Sequence, residues 1–274
     1  MKNMKKEIAI IYDVDGTLAK GNLPEHKLLP DMGIDKDSFW QEAEKLKEKN
    51  DSDGILTYMH LLVKKAGEQN FKLSKKILNS YGSKINFFNG VDSWFDRINN
   101  FSSNGYEIKH YIISSGLDEI IETTSIAKHF KKIFASKYIY NKDGLIVCPG
   151  VAINYTTKTQ YLFRINKGIL NHHDDKGLNK WMKTKDRPVP FERIIYIGDG
   201  DTDIPAMKTV RSQGGVSIGV FDPEKWEDNE HQEKIYKLIS EDRVNYVAPA
   251  DYELGSQLDI LLKGILGRIM NEDK

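Results

Sequence analysis

Two acidic segments of this 274-residue chain carry the residues best suited to chemistry. Residues 13–17 read Asp-Val-Asp-Gly-Thr and directly follow the apolar run 8–12, and residues 198–203 read Gly-Asp-Gly-Asp-Thr-Asp after the apolar run 194–197. One carboxylate can attack phosphorus, a second one close by can transfer protons, and carboxylate oxygens are ligands that suit Mg²⁺. The two segments therefore indicate metal-assisted phosphoryl transfer.

Each segment alone has a simpler interpretation, because Asp-Gly pairs commonly close turns. Both segments contain Asp-x-Asp, as an EF-hand Ca²⁺ loop does, but that loop needs Gly at its sixth position, where this chain has Leu18 and Ile204. Two acidic loops at one sheet edge would be unfavourable unless a metal or phosphate chemistry uses them. We therefore interpret the two segments as parts of one site.

The apolar runs and the stretches between them predict an α/β fold. Short β-forming runs alternate with helix-compatible stretches, which is typical of a doubly wound parallel sheet. The predicted strands are 8–12, 108–113, 194–197, 216–220 and 246–248, and the predicted helices are 91–100, 118–129, 158–170, 204–211 and 253–270. Asp13, Ser114 and Asp199 all fall at the carboxyl ends of strands, where such sheets bind polar ligands.

Residues 21–88 interrupt this alternation with charged sequence of helical period. We therefore predict a catalytic core made of residues 1–20 and 89–274, with a small helical domain, residues 21–88, inserted into it. Asp143-Gly144 lies between two β-forming runs, which predicts a β-hairpin there.

Three segments together resemble motifs of the haloacid dehalogenase (HAD) hydrolase superfamily. Residues 13–17 are similar to its first motif and residues 198–203 to its fourth, while residues 111–116, Tyr-Ile-Ile-Ser-Ser-Gly, are similar to its second. The resemblance implies a Rossmann-like HAD core, with the insert as a helical C1 cap, as in the phosphoserine-phosphatase-like branch. The insert itself carries no motif specific to the family.

The resemblance implies roles for the acidic residues. Asp13 would be the nucleophile, and Asp15 the general acid/base. Both would also contribute to a Mg²⁺ site, Asp15 through its backbone carbonyl. Asp199 would be a further metal ligand, and Asp203 would support the metal site. Asp201 stands where relatives usually have a small residue, so it is left out of the site.

The resemblance also implies residues that bind the phosphoryl group. Ser114 and Ser115 occupy the second motif, although Ser114 could instead cap a helix that begins near Leu117. The third motif is a lysine that neutralises the nucleophile and the phosphate. Lys158 is favoured over Lys167 because it stands at the start of a predicted helix, as this lysine does in the phosphoserine-phosphatase-like branch.

A C1 cap in this family closes over the substrate and supplies contacts to the leaving group. Candidate polar contacts stand close after the nucleophile segment, at Asn22, Glu25 and His26. A further group of side chains at helical spacing is more typical of a cap core than of a substrate site: Trp40, Tyr58, Met59 and His60.

The insert contains no arginine, since the first Arg of the chain is Arg97. Relatives specific for phosphoserine use a cap arginine for the substrate carboxylate, which suits a bidentate guanidinium. We therefore expect that phosphoserine is not the preferred substrate.

The composition narrows the functional class. The 40 basic side chains are balanced by 40 acidic ones, so no overall field favours nucleic acid, and the single thiol, Cys148, rules out an internal disulfide. No apolar run approaches the roughly 20 residues that span a bilayer. We expect a cytoplasmic, Mg²⁺-dependent phosphohydrolase of a small phosphorylated metabolite, with no nucleic-acid or membrane partner.

Two other functions stay open: a phosphotransferase or phosphomutase on the same site, and a non-catalytic phosphate-binding protein. A dehalogenase is disfavoured because that branch lacks both the metal and the acid at the position of Asp15. A response-regulator receiver is disfavoured because it is shorter and places its phosphorylated Asp after the third strand. Sequence leaves the oligomeric state open.

Overall fold

The computed structural model describes residues 5–103, 105–200 and 202–271, so Asp201 lies outside the described residues. The strands are β1 (Lys6–Tyr12), β2 (Tyr106–Leu117), β3 (Phe130–Tyr140), β4 (Ile146–Val151), β5 (Ile194–Gly198), β6 (Val216–Phe221) and β7 (Tyr246–Pro249). The α-helices are α1 (Leu23–His26), α2 (Leu28–Asp31), α3 (Lys36–Asn50), α4 (Gly54–Glu68), α5 (Lys75–Ser80), α6 (Val91–Asn99), α7 (Asp118–Ile121), α8 (Thr157–Lys167), α9 (Asp175–Asn179), α10 (Ile204–Ser212), α11 (Asn229–Ser240) and α12 (Gln257–Asn271).

The strands form one sheet in the order β4-β3-β2-β1-β5-β6-β7. Every neighbouring pair is parallel except β3 and β4, which form an antiparallel hairpin at one edge. The predicted parallel α/β sheet is therefore confirmed, and so is the hairpin around Asp143-Gly144. The switch in strand order between β2 and β5, on either side of β1, is where open α/β sheets place their ligand sites.

Alternate residues of β1 enter two separate hydrophobic cores, one on each face of the sheet. Ile8 and Ile10 pack with side chains of α6 and α12, and Ala9 and Ile11 pack with side chains of α8 and α10. Because β1 is buried on both faces, its sequence is almost wholly apolar, as expected for a central parallel strand.

The insert consists of helices α1 to α5, and its two connections to the core run side by side. Ala19 bridges Phe87 in antiparallel fashion, and the Phe88 amide donates to the Leu18 carbonyl at 3.0 Å. Insert and core share one cluster of buried apolar side chains around Leu62. The division into domains at residues 21 and 88 stays a prediction.

The predicted helix 118–129 is wrong in length. Helix α7 ends at Ile121, and only a 3₁₀ turn over Ala127–His129 follows. Thr123 and Thr124 donate their hydroxyls to backbone carbonyls three residues back, at 3.0 and 2.8 Å. Such local bonds compete with regular helix, which accounts for the early end.

Among the described residues, no helix is both long and apolar enough to cross a membrane.

Candidate active site

The strand register places the two acidic segments side by side. Tyr12 at the end of β1 pairs with Ile197 near the end of β5, and the Asp13 amide donates to the Ile197 carbonyl at 3.0 Å. Gly16 fits into this contact only because it lacks a side chain: its φ is +69°, and a Cβ there would lie 2.7 Å from Asp199 Oδ2. The loops after β1 and β5 thus form one surface.

Lys158 lies in the first turn of α8, and its ammonium group reaches the loops after β1 and β5. Nζ donates to Asp13 Oδ2 at 2.7 Å, to Asp203 Oδ1 at 2.6 Å and to Thr202 Oγ1 at 2.7 Å. Its side chain has 0% exposure. Burying an ammonium is costly unless charged partners surround it, and two carboxylates do so here.

Lys167, the alternative lysine, lies at the far end of α8. Its ammonium donates to the backbone carbonyls of Leu178 and Lys180 instead. Of the two candidates, Lys158 is therefore the one that meets Asp13.

Asp13 is a buried carboxylate with two hydrogen-bonded oxygens. Its Oδ1 accepts from the Val14 amide at 2.7 Å, and Lys158 occupies Oδ2. Burial, and next the charge of Asp203, raise the pKa of Asp13 to about 7, although Lys158 opposes the shift. A cation bound beside it would lower that pKa and favour the nucleophilic, ionised form.

The Asp15 carboxyl group is hydrogen-bonded to the first helix of the insert. Its Oδ1 accepts from the Leu23 amide, at the start of α1, at 2.7 Å. Its Oδ2 faces Gly116, where an added Cβ would lie 3.1 Å away. Burial, and next the charge of Asp13, raise the pKa of Asp15 to about 8, a shift that favours the protonated form.

Ser114 and Ser115 lie in the last residues of β2, beside Asp15. Ser114 Oγ accepts from the Gly116 amide at 3.1 Å, and an added Cβ at Gly116 would be 3.3 Å from that oxygen. Ser114 does not cap α7, since Leu117 is the N-cap residue and has no side-chain cap. Ser115 Oγ is buried without a hydrogen-bond partner within the described residues. A phosphoryl oxygen would satisfy it.

Three carboxylates could hold a cation together. One oxygen each from Asp13, Asp199 and Asp203 lie within 4.8 Å of one another. Asp203 Oδ2 is fully buried and lacks a hydrogen-bond partner in the part of the chain that the structure describes. Because a buried unpaired carboxylate oxygen is unfavourable, this donor set fits Mg²⁺, which prefers hard oxygen ligands.

Several contacts at this site were missed from the sequence. Tyr196 donates its hydroxyl to Asp203 Oδ1 at 2.6 Å, and Lys234 on α11 lies 3.0 Å from Asp199 Oδ2. Tyr196 reads as an ordinary strand residue, and Lys234 lies in a polar stretch distant in sequence. Thr202 lies within the second acidic segment, so the sequence did place it near the predicted site.

A cavity of about 830 Å³ lies over these residues and extends beneath the insert. Of the candidate cap contacts, Asn22 lines it, whereas Glu25 and His26 do not. Of the group predicted as cap core, Met59 is fully buried, but Trp40 and Tyr58 line the cavity.

The chain is similar to known proteins in sequence and in fold. No protein-family model matches the chain. An "Uncharacterized protein" of Borreliella burgdorferi is 28% identical over 286 residues, which cover 94% of this chain and 96% of that protein.

Two solved structures share the fold at low sequence identity. The structure of a HAD family hydrolase from Salmonella enterica serovar Typhi is similar with a TM-score of 0.60 at 15% identity, over 95% of this chain and 71% of that one. A substrate-bound phosphoserine phosphatase is similar with a TM-score of 0.56 at 17% identity, over 95% of this chain and 99% of that one. The predicted HAD-type fold is confirmed.

Proposed function

We propose that the chain is a Mg²⁺-dependent phosphohydrolase that cleaves a small phosphorylated metabolite through an aspartyl-phosphate intermediate on Asp13. The observation that carries the proposal is the buried ion-pair cluster in which Lys158 contacts both Asp13 and Asp203. A buried ammonium group beside two acidic loops, at the ligand-binding end of a sheet, is placed to offset the charge of an incoming phosphate.

Asp13 forms the new bond in this proposal. One of its carboxylate oxygens attacks phosphorus, and the bond between phosphorus and the ester oxygen breaks. Lys158 stays beside Asp13 and offsets the negative charge that two anions bring together.

Asp15 acts as the general acid in the first step and as the general base in the second. With a pKa raised to about 8, its carboxyl holds a proton at neutral pH and gives it to the departing oxygen. The resulting carboxylate then takes a proton from the water that attacks the Asp13 phosphate. Phosphate leaves, and the protonated Asp15 is restored. The bond from the Leu23 amide fixes one oxygen, so that the other faces the reacting group.

Asp13, Asp199 and Asp203, with the Asp15 carbonyl, would hold the Mg²⁺. When bound, the cation neutralises carboxylate and phosphate charge and so permits attack of one anion on another. Ser114, Ser115 and the amides near Gly116 would hold the remaining phosphoryl oxygens.

A phosphate-release screen tests the proposal. Purified protein is incubated with acetyl phosphate and a panel of phosphorylated metabolites, with Mg²⁺ or with EDTA. We expect Mg²⁺-dependent phosphate release, and inhibition by BeF₃⁻, which mimics a phosphate on Asp13. Absence of phosphate release from every compound in the presence of Mg²⁺ would contradict the proposed function. Turnover that BeF₃⁻ leaves unaffected would contradict the covalent step.

A further inference from the structure

Two aromatic side chains of the insert line the cavity. Trp40 on α3 and Tyr58 on α4 line the same cavity as Asp13 and Asp15. Their ring centroids are 5.7 Å apart, with the planes tilted by 59°. Phe39 packs edge-on against Trp40 at 5.1 Å and supports it from behind. A leaving group that extends from Asp13 into this cavity therefore has two aromatic side chains among its possible contacts.

The polar atoms of both rings are already used. Trp40 Nε1 donates to Glu25 Oε1 at 2.7 Å, and the Asn22 amide donates to the same oxygen. The Tyr58 hydroxyl donates to the Ser115 carbonyl at 3.0 Å. These bonds fix the orientation of both rings and leave neither of them with a free donor. Preorganised aromatic surface is suited to another planar ring.

The charges on this wall argue against a leaving group that carries a carboxylate. Lys47 and Glu44 both line the cavity and form an ion pair with each other, so neither charge is isolated. Arg97, the first arginine, is engaged in the core with Asp259 and the Tyr252 carbonyl, so the insert offers no guanidinium for a carboxylate. Arg243 lines the cavity from the core side, and its guanidinium is paired with Glu241. A quaternary ammonium group could also pack against aromatic faces, so phosphocholine is the compound that discriminates a cationic from a planar leaving group.

We infer that the preferred substrate is a phosphomonoester whose leaving group carries a planar aromatic or heteroaromatic ring, which packs against Trp40 and Tyr58. This inference rests on the proposed phosphohydrolase function. It names the substrate class by its ring and leaves the sugar or linker between ring and phosphate unspecified. The cavity, at about 830 Å³, has room for such a group in addition to the phosphate.

Matched pairs of compounds test it. Cytidine and adenosine 5′-monophosphates are compared with ribose 5-phosphate, and pyridoxal 5′-phosphate with glycerol 3-phosphate, with phosphoserine and phosphocholine as further arms. We expect kcat/KM for at least one ring-bearing compound to exceed that of its ring-free counterpart by about tenfold or more, as one stacked ring contributes. Equal values within each pair, or a preference for phosphoserine or phosphocholine, would overturn the inference.

Three variants test whether Trp40 is responsible for the preference for ring-bearing compounds. Trp40→Leu should collapse the preference for the ring-bearing member of the pair, whereas Trp40→Phe, which keeps a ring, should retain most of it. Trp181→Leu is the matched control, because Trp181 is 77% exposed and lies outside the cavity. If Trp40→Leu keeps the full preference, the inference fails.

A binding measurement separates this inference from the proposed function. Calorimetry on the Asp13→Asn variant with Mg²⁺ compares the Kd of cytidine 5′-monophosphate or pyridoxal 5′-phosphate with that of the ring-free counterpart, without turnover. Tighter binding of a ring-bearing compound, lost in Asp13→Asn/Trp40→Leu, supports the inference even if the hydrolase proposal fails. Acetyl phosphate turnover by the wild type together with equal Kd values supports the hydrolase and overturns the ring preference.

Discussion

Lys158 Nζ lies 2.7 Å from Asp13 Oδ2, in a pair whose side chains are 0% and 4% exposed. Removing one member of a buried ion pair leaves the other charged and unsatisfied, which costs roughly 3–5 kcal/mol. This pair therefore links catalysis with stability, and the two contributions can be separated by substitution.

Lys158→Met should lower kcat on the order of 100-fold or more, because no positive side chain then opposes the charge of Asp13 and phosphate. The variant should also unfold more easily without Mg²⁺, since Asp13 and Asp203 lose their shared partner. Phosphate release and thermal unfolding with and without Mg²⁺ provide both readouts. Lys167→Met, at the other end of the same helix, is the control and should keep kcat. Equal losses in the two variants would remove Lys158 from its role.

Asp13→Asn should abolish turnover with little loss of folding, because an amide keeps the shape of the carboxylate but is a poor nucleophile, and Lys158 keeps Asp203 as a charged partner. Steady-state phosphate release and circular dichroism measure the two effects. Asp37→Asn, on the exposed surface of α3, is the matched control. If Asp13→Asn retains substantial Mg²⁺-dependent activity, another group must be the nucleophile.

The sequence predicted the ends of β1 and β5 to within one residue, and the acidic residues that follow these strands lie together in the structure. Parallel strands buried on both faces must be continuously apolar, so the first Asp after such a run marks the sheet edge. Lys158 was identified through a family motif, since spacing alone does not say which lysine turns inward. Tyr196 and Lys234 were missed because their contacts depend on how β5 and α11 pack. No pattern among neighbouring residues in the sequence indicates how these elements pack.

Asp15→Asn should slow turnover most for substrates with poor leaving groups. An alcohol needs a proton as it departs, whereas 4-nitrophenolate leaves without one. The ratio of kcat values for 4-nitrophenyl phosphate and an alkyl phosphate, compared between wild type and variant, measures this dependence. A uniform loss over all leaving groups would mean that Asp15 serves only to hold the metal.

Asp199→Asn and Lys234→Met should shift the Mg²⁺ requirement in opposite directions. Asp199 would supply a metal ligand, so its loss should raise the Mg²⁺ concentration for half-maximal activity. The Lys234 ammonium lies 3.0 Å from Asp199 Oδ2 and competes with a cation for that carboxylate, so its removal should lower the concentration. Calorimetric Mg²⁺ titration checks both without turnover. Weaker Mg²⁺ binding in Lys234→Met would show that the lysine supports the site.

His110 should make the protein less stable in acid, apart from any effect on the active site. Its ring lies between the Tyr12 hydroxyl, 3.1 Å from Nδ1, and Asn99 Oδ1, 3.2 Å from Nε2. Trp94 Nε1 donates to the Tyr12 hydroxyl at 2.9 Å. A neutral ring that carries its proton on Nε2 satisfies this whole chain of hydrogen bonds, because Tyr12 then donates to Nδ1. Burial lowers the pKa of His110 to about 3.

The sign of the effect follows from proton counting. Between pH 3 and 6.5 the unfolded chain binds a proton at His110 that the folded protein does not, so the free energy of unfolding falls as the pH falls. One such group contributes at most roughly 1.4 kcal/mol per pH unit. Asp13 and Asp15, whose pKa values are raised, act in the opposite direction, so only a comparison of variants isolates His110.

Urea unfolding of the wild type and of His110→Gln, at pH 6.5 and at pH 4, makes that comparison. Gln can form similar hydrogen bonds but takes up no proton, so the variant should lose less stability on acidification, by roughly 3 kcal/mol. His60→Gln, on the exposed face of α4, should follow the wild-type curve and serves as the control. If wild type and His110→Gln lose the same stability between the two pH values, His110 is not the acid-sensitive group of the core.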